Sequence, residues 1–153
     1  MYMHVVGKAE NAQRKAMPVL PCACANLRRA SRAVTRLYNR EMQQHGIEVT
    51  QFTLLMSLNQ TGEIPQGKLG TLLGLDSTSL TRMLELLRKQ GWVHAKEGED
   101  RRVRLFSLTA AGREKFVQAT RHWKRAQERL KATLGEETMR QLAEVLAEVT
   151  QRV

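Results

Sequence analysis

Between Pro21 and Gly46 the small and apolar positions fall three and four residues apart, at Cys24, Leu27, Ser31, Val34 and Tyr38 with Leu37 alongside. That spacing lines one face of a long helix. The preceding stretch "MYMHVVGKAENAQRKAM" has no clear period, and residues 1–16 read as a flexible arm. A second helix carries Phe52, Leu55, Met56 and Leu58, with Thr50 as its expected cap and "NQTGEIP" as its end. A short third helix runs through Leu69, Leu72 and Leu73 to Gly74.

The segment "GLDSTSLTRMLELLRKQGWV" decides the topology. Gly74 suits the left-handed conformation that closes a helix, and Asp76 or Ser77 can cap the next one within two residues. Two helices joined so tightly cross steeply, as in a helix-turn-helix. Leu80, Met83, Leu84 and Leu87 form the buried stripe of the second of them, and Ser77, Thr78, Thr81, Arg82 and Glu85 stay on or near its other face. Such a face suits a recognition helix in a DNA major groove, where small hydroxyls permit close approach and an arginine donates twice to guanine. A plain solvated helix face would look the same.

After this helix the period changes. "WVHAK" and "VRLFSL" are rich enough in β-branched and aromatic residues for two short strands, and "EGED" supplies the turn, with Gly98 as its permissive residue. A helix-turn-helix followed by such a ribbon is a winged helix. Arg101, Arg102 and Arg104 on that wing can follow a phosphate backbone or enter a minor groove, and Asp100 is placed to hold the Arg102 side chain extended. Farther on, Thr109 caps a long helix with Phe116, Ala119, Trp123, Ala126 and Leu130 in register. After Gly135 the stripe resumes at Met139, Leu142, Leu146 and Val149. These seams want a helical partner, either a second copy or each other within a monomeric hairpin.

Charge and chemistry sharpen this picture. Among 153 residues, 25 Lys and Arg outweigh 15 Asp and Glu for a formal charge of +10, which favours nucleic acid, an anionic surface or phosphorylated ligands as partners. No apolar run reaches the length of a membrane span and no leader pattern opens the chain, so a soluble cytoplasmic protein without membrane contact is expected. The two cysteines, Cys22 and Cys24, lie too close together to staple a secreted scaffold. Phosphate-loop, zinc-protease and nucleophile-elbow motifs are all missing, so no enzyme and no cofactor is expected. His4, His45, His94 and His122 show no ligand spacing, and no metal site is expected. A non-specific basic interaction module would account for the charge but not for the wing.

The stretch "KEGEDRRVRLFSLT" carries an aspartate, one residue, an arginine, five residues, then Leu-Thr, at Asp100, Arg102, Leu108 and Thr109. With "LGTLLGLDSTSLTRMLELLRKQGWV" it resembles the MarR family of bacterial transcription regulators, a likeness that covers most of the chain. The resemblance implies a mainly helical fold with a β-hairpin wing, and a homodimer on a pseudo-palindromic double-stranded operator, usually as a repressor released by a small molecule or an oxidant. It implies Arg102 as the minor-groove arginine with Asp100 as its support, and Ser77, Thr78, Thr81 and Arg82 as major-groove readers. One departure is that the family's third helix has alanine after its leucine, where this chain has Gly70 with Gly67 nearby, an arrangement that loosens the helix. The expected layout is one domain over 17–153, with dimerisation helices at 17–46 and 109–153 around a winged-helix lobe at 47–108.

The first helix holds the candidates for a signal. Arg28, Arg32, Arg36 and Arg40 stack at four-residue intervals, where like charges repel. They can be offset by acids such as Glu137, Glu144 and Glu148, by solvation, or by an acidic or aromatic effector. MarR-like proteins commonly hold effectors between the dimerisation helices and the DNA lobe, which makes Arg28, Arg32, Tyr38 and His45 candidate contacts. If Pro21 opens the helix, Cys22 and Cys24 sit in its first turn, where unpaired N–H groups favour thiolate. Cys24 and Tyr38 reproduce the fourteen-residue spacing of the family's peroxide-sensing branch, although Val49 stands where its second tyrosine is expected. Redox-active cysteines and cysteines that only pack in a dimer interface remain alternatives.

Overall fold

The computed structural model describes residues 18–153, and the arm expected over 1–16 lies outside them. Its elements are α1 (Ala23–Met42), a 3-10 turn (Gln43–His45), α2 (Val49–Thr61), β1 (Ile64–Pro65), α3 (Gln66–Leu73), α4 (Ser77–Lys89), β2 (Val93–Glu97), β3 (Arg104–Leu108), α5 (Ala110–Leu134) and α6 (Glu136–Arg152). The chain divides into two compact units, one ending at Ala33 and one from Val34 onward. In the first, the Asn26 amide exchanges two hydrogen bonds with the backbone of Leu20, and Arg29 donates to the Pro18 carbonyl at 3.0 Å. These bonds clip the segment before α1 onto the helix's first turns.

In the second unit Gly46, at φ +67, turns the chain from the 3-10 segment toward α2. Thr50 is not the cap of α2. Glu48 is, because its side chain and that of Gln51 reciprocally satisfy two otherwise unpaired backbone N–H groups. Thr50 lies inside the helix.

The sheet is antiparallel in the order β1-β3-β2, with Ile64 opposite Phe106 and Val93 opposite Leu108. Strand β1 was not expected from the sequence. Its two residues are too few to show an alternation, and its pairing with β3 is set by the tertiary fold. The core below gathers Phe52, Leu55 and Leu58 of α2, Leu69 of α3, Leu80, Leu84 and Leu87 of α4, and Phe106, all essentially inaccessible to solvent. Each such side chain contributes about 1.5–3 kcal/mol by leaving water, and together they fix α3 and α4 against the sheet.

Helix α5 spends its apolar stripe inside the same unit. Phe52 stacks on Phe116 and Trp123 at ring separations of 5.4 and 5.8 Å, and Ala126 and Leu130 pack with Tyr38, whose hydroxyl donates to Gln127 at 2.6 Å. The α5 stripe therefore packs into the chain's own core. By contrast, α6 buries no residue and leaves Val145, Leu146 and Val149 exposed.

Candidate nucleic-acid interface

The turn between α3 and α4 forms for the reasons its residues suggest. Gly74 adopts φ +62 and its N–H reaches the carbonyls of Gly70 and Thr71. Asp76 caps α4, accepting from the backbone N–H and the hydroxyl of Ser79, each at 2.8 Å. The backbone bond, followed by the hydroxyl bond, holds its carboxyl below the usual aspartate range. The departure at Gly70 has a steric explanation. A Cβ there would lie 3.3 Å from both the Leu75 carbonyl and the Leu80 side chain, so glycine lets α3 approach α4 closely, whereas Gly67 faces open space.

With Leu80, Leu84 and Leu87 turned into the core and Met83 half-buried, α4 leaves Ser77, Thr78, Thr81 and Arg82 exposed. The polar residues cluster in its first turn and a half. Thr81 is not free of neighbours, since its Oγ1 accepts a hydrogen bond from Nε2 of Gln66 on α3 at 2.8 Å.

At the wing tip, the Val103 N–H reaches the Asp100 carbonyl and the Gly98 N–H reaches the Val103 carbonyl, each at 2.8 Å. Arg101 and Arg102 occupy the centre of this turn, both exposed. Asp100 supports Arg102 differently from expectation: its Oδ1 accepts from the backbone N–H of Arg102 at 3.0 Å, so it fixes the turn and not the guanidinium. Gly98 is not left-handed either. A Cβ there would come within 3.2 Å of the Val103 carbonyl, so close backbone approach is what favours glycine. Arg104 is drawn back toward α4, its guanidinium 5.5 Å from the Phe106 ring centre and 3.9 Å from Glu85, which also pairs with Arg88. These pairs are solvated and add little stability. They orient Arg104 rather than anchor the fold.

Between these elements lies an open cleft of about 1040 Å³, lined among others by Gln66, Lys68 and Thr71 of α3, Ser77 of α4, and Arg102 and Arg104 of the wing. Of the predicted helix and wing readers it brings together Ser77, Arg102 and Arg104, while Thr78, Thr81, Arg82 and Arg101 are exposed outside its lining. Gln66 and Lys68 were not singled out from the sequence, because the start of a short helix carries no signal of what faces it.

Tyr38 is buried, its hydroxyl engaged by Gln127, and burial pushes its pKa up. The His45 ring stacks on that of His122 at 3.3 Å, and Lys115 donates to the His45 carbonyl. His122 is buried with its Nε2 unpartnered, and burial, followed by His45, pushes its pKa down. Arg28 and Arg32 are exposed on the first part of α1. Glu137 and Glu144 are engaged by Arg140, and Glu148 by Arg152. Cys22 precedes α1, Cys24 is its second residue, and both are exposed, so packing among the described residues does not account for them. Among the described residues, no group of three or more His, Cys, Asp or Glu is placed to hold a metal ion, and no helix is long and apolar enough to cross a membrane.

Comparison with known proteins agrees with this geometry. Residues 47–103 match the model of the MarR family. The transcriptional regulator YwoH of Bacillus subtilis is 24% identical over 111 residues, 72% of this chain and 81% of its own. Among solved structures, the M. tuberculosis regulator MosR in complex with DNA shares 31% identity at a TM-score of 0.74, over 86% of this chain and 99% of that one. A MarR variant from E. coli complexed with operator DNA shares 26% identity at a TM-score of 0.75, over 82% of this chain and 91% of that one. The recognition segment, the wing and the full-length likeness to MosR lead to one assignment: the chain belongs to the MarR family of winged helix-turn-helix transcriptional regulators.

Proposed function

We propose that the protein is a sequence-specific DNA-binding repressor that acts as a homodimer on a pseudo-palindromic operator. The observation that supports this reading is the cleft lined by Lys68 of α3, Ser77 at the start of α4, and Arg102 and Arg104 of the wing, with Thr78, Thr81 and Arg82 exposed farther along α4. Helix α4 then lies in the major groove with Ser77, Thr78, Thr81 and Arg82 toward base edges. Arg102 reaches the flanking minor groove, with Arg101, Arg104 and Lys68 near phosphates and Asp100 shaping the turn. The DNA complexes of MosR and of the MarR variant support the same partner.

Dimerisation rests on α6. An amphipathic helix that among the described residues has none fully buried, and that exposes Val145, Leu146 and Val149, has an apolar face to cover. Pairing also doubles the site, placing two recognition helices about one DNA turn apart.

For the release signal, exposed Cys22 and Cys24 at the start of α1 favour an oxidant that modifies the thiols. The other reading is an acidic or aromatic effector held by Arg28 and Arg32. With the Tyr38 hydroxyl committed to Gln127 and His45 stacked on His122, those arginines are the contacts left to it.

The test is fluorescence anisotropy on the protein's own promoter fragment beside a scrambled duplex at moderate salt, with and without mild organic peroxide. Preference for the promoter that persists as salt rises supports specific recognition, whereas equal affinity for both duplexes removes an operator from the protein's own promoter. Release by peroxide in the parent but not in Cys24→Ser supports the thiol reading, and equal release in both removes Cys24 from it.

A further inference from the structure

Six threonines inside these helices share a habit from which Thr81, in the interface, departs. Thr53, Thr61, Thr71, Thr120, Thr133 and Thr150 each donate their hydrogen to the backbone carbonyl four residues earlier, at 2.7 to 3.2 Å. This is the ordinary way a helical threonine satisfies itself. Thr81 instead receives a hydrogen bond from Gln66 Nε2 at 2.8 Å, across fifteen residues of sequence and from a different helix.

The Gln66 amide turns its nitrogen to Thr81, which fixes the direction of that bond. An amide nitrogen can only donate, so the Thr81 oxygen must accept, and its single hydrogen stays unspent on α3. Thr81 is exposed on the face of α4 that also carries Ser77, Thr78 and Arg82. A hydroxyl whose inward lone pair is occupied is biased to present its hydrogen outward, as a donor.

From this we infer that Gln66 is a specificity-determining residue, setting Thr81 as a hydrogen-bond donor toward a base that offers an acceptor at its major-groove edge. Such acceptors are purine N7, guanine O6 and thymine O4, whereas the cytosine amino group offers only donors. Gln66 does so from the first residue of α3, immediately after Pro65, whose ring fixes its own φ at −62. The half-buried Gln66 side chain therefore starts from a stiff anchor on β1. The inference rests on the DNA reading proposed above and extends it from which helix reads DNA to how one hydroxyl on that helix is polarised.

The discriminating experiment is selection from a randomised duplex pool, followed by sequencing, for the parent and three variants shown by circular dichroism to stay folded. Thr81→Val keeps the shape but removes the hydroxyl, and identifies the base pair in each half-site that Thr81 reads. Gln66→Ala is expected to relax preference at that same base pair by about fivefold, the scale of one neutral hydrogen bond, with other positions unchanged. Gln66→Glu replaces the donor with a carboxylate that can only accept. Thr81 must then donate inward and present a lone pair outward, so preference at that base pair shifts toward cytosine or the adenine amino group. The added negative charge weakens binding to all duplexes alike and leaves this relative preference readable.

Relaxation by Gln66→Ala at a different base pair from Thr81→Val, uniform weakening with no change at any position, or an unchanged preference in Gln66→Glu would each overturn the inference. A parent that selects no sequence at all instead removes the DNA reading on which it stands.

Discussion

Helices α4 and α6 are both amphipathic, yet they spend their two faces in opposite ways. Helix α4 turns Leu80, Leu84 and Leu87 into the core and leaves hydroxyls and Arg82 in water. Helix α6 has no fully buried residue, touches the Tyr38 cluster only through half-buried Met139, and leaves Val145, Leu146 and Val149 in water. What a helix leaves exposed indicates what it lacks: for α4 a polar, negatively charged surface, and for α6 an apolar one. Periodicity alone would treat the two as equivalent, and only their surroundings separate them.

The contrast is broken most severely from inside. Leu84→Ala opens a cavity beneath α4 and should cost about 2–5 kcal/mol in chemical denaturation. Leu146→Asp should leave the lobe's circular dichroism unchanged. On the dimer reading it should raise the dimer dissociation constant at least about thirtyfold, roughly 2 kcal/mol, measured by analytical ultracentrifugation. If Leu146→Asp destabilises the fold as Leu84→Ala does, the distinction between the helices is wrong. Arg102→Ala should weaken binding at each operator half-site about tenfold and reduce the slope of affinity against salt by about one per half-site, with thermal stability unaffected. The smallest effect concerns His122. Folding lowers its pKa, so the unfolded chain takes up a proton first as pH falls below about 6.5. Stability should therefore decline on the acid side, through the folded-state value, and His122→Gln should flatten that part of a pH series of thermal melts.

Much of the winged-helix lobe was legible because its signals are local. Asp76 caps within three residues, Gly74 needs its positive φ, and the leucine stripe of α4 repeats within one helix. The features that escaped depend on partners distant in sequence. Strand β1 exists only through its pairing with Leu105 and Phe106, and the link from Gln66 to Thr81 joins two helices. Glu48 outcompeted Thr50 as a cap because only Glu48 has Gln51 three residues on to complete a reciprocal pair. The α5 stripe has the same spacing whether it meets a second copy or its own α2, and stacking on Phe52 shows that it meets α2. Asp100 was placed correctly beside Arg102 but credited with the wrong atom, because spacing does not distinguish a side chain from the N–H beneath it.

The junction between the sheet and α5 has almost no clearance. The Thr109 hydroxyl donates to the Gly91 carbonyl at 2.6 Å and accepts from the Gly112 N–H at 2.9 Å, while any Cβ on Gly112 would run into the Trp92 carbonyl. A joint this tight passes on rotation but permits no slip. The 25 residues of α5 form an arm of about 37 Å, so a tilt of about a tenth of a radian at this fulcrum moves its far end about 4 Å.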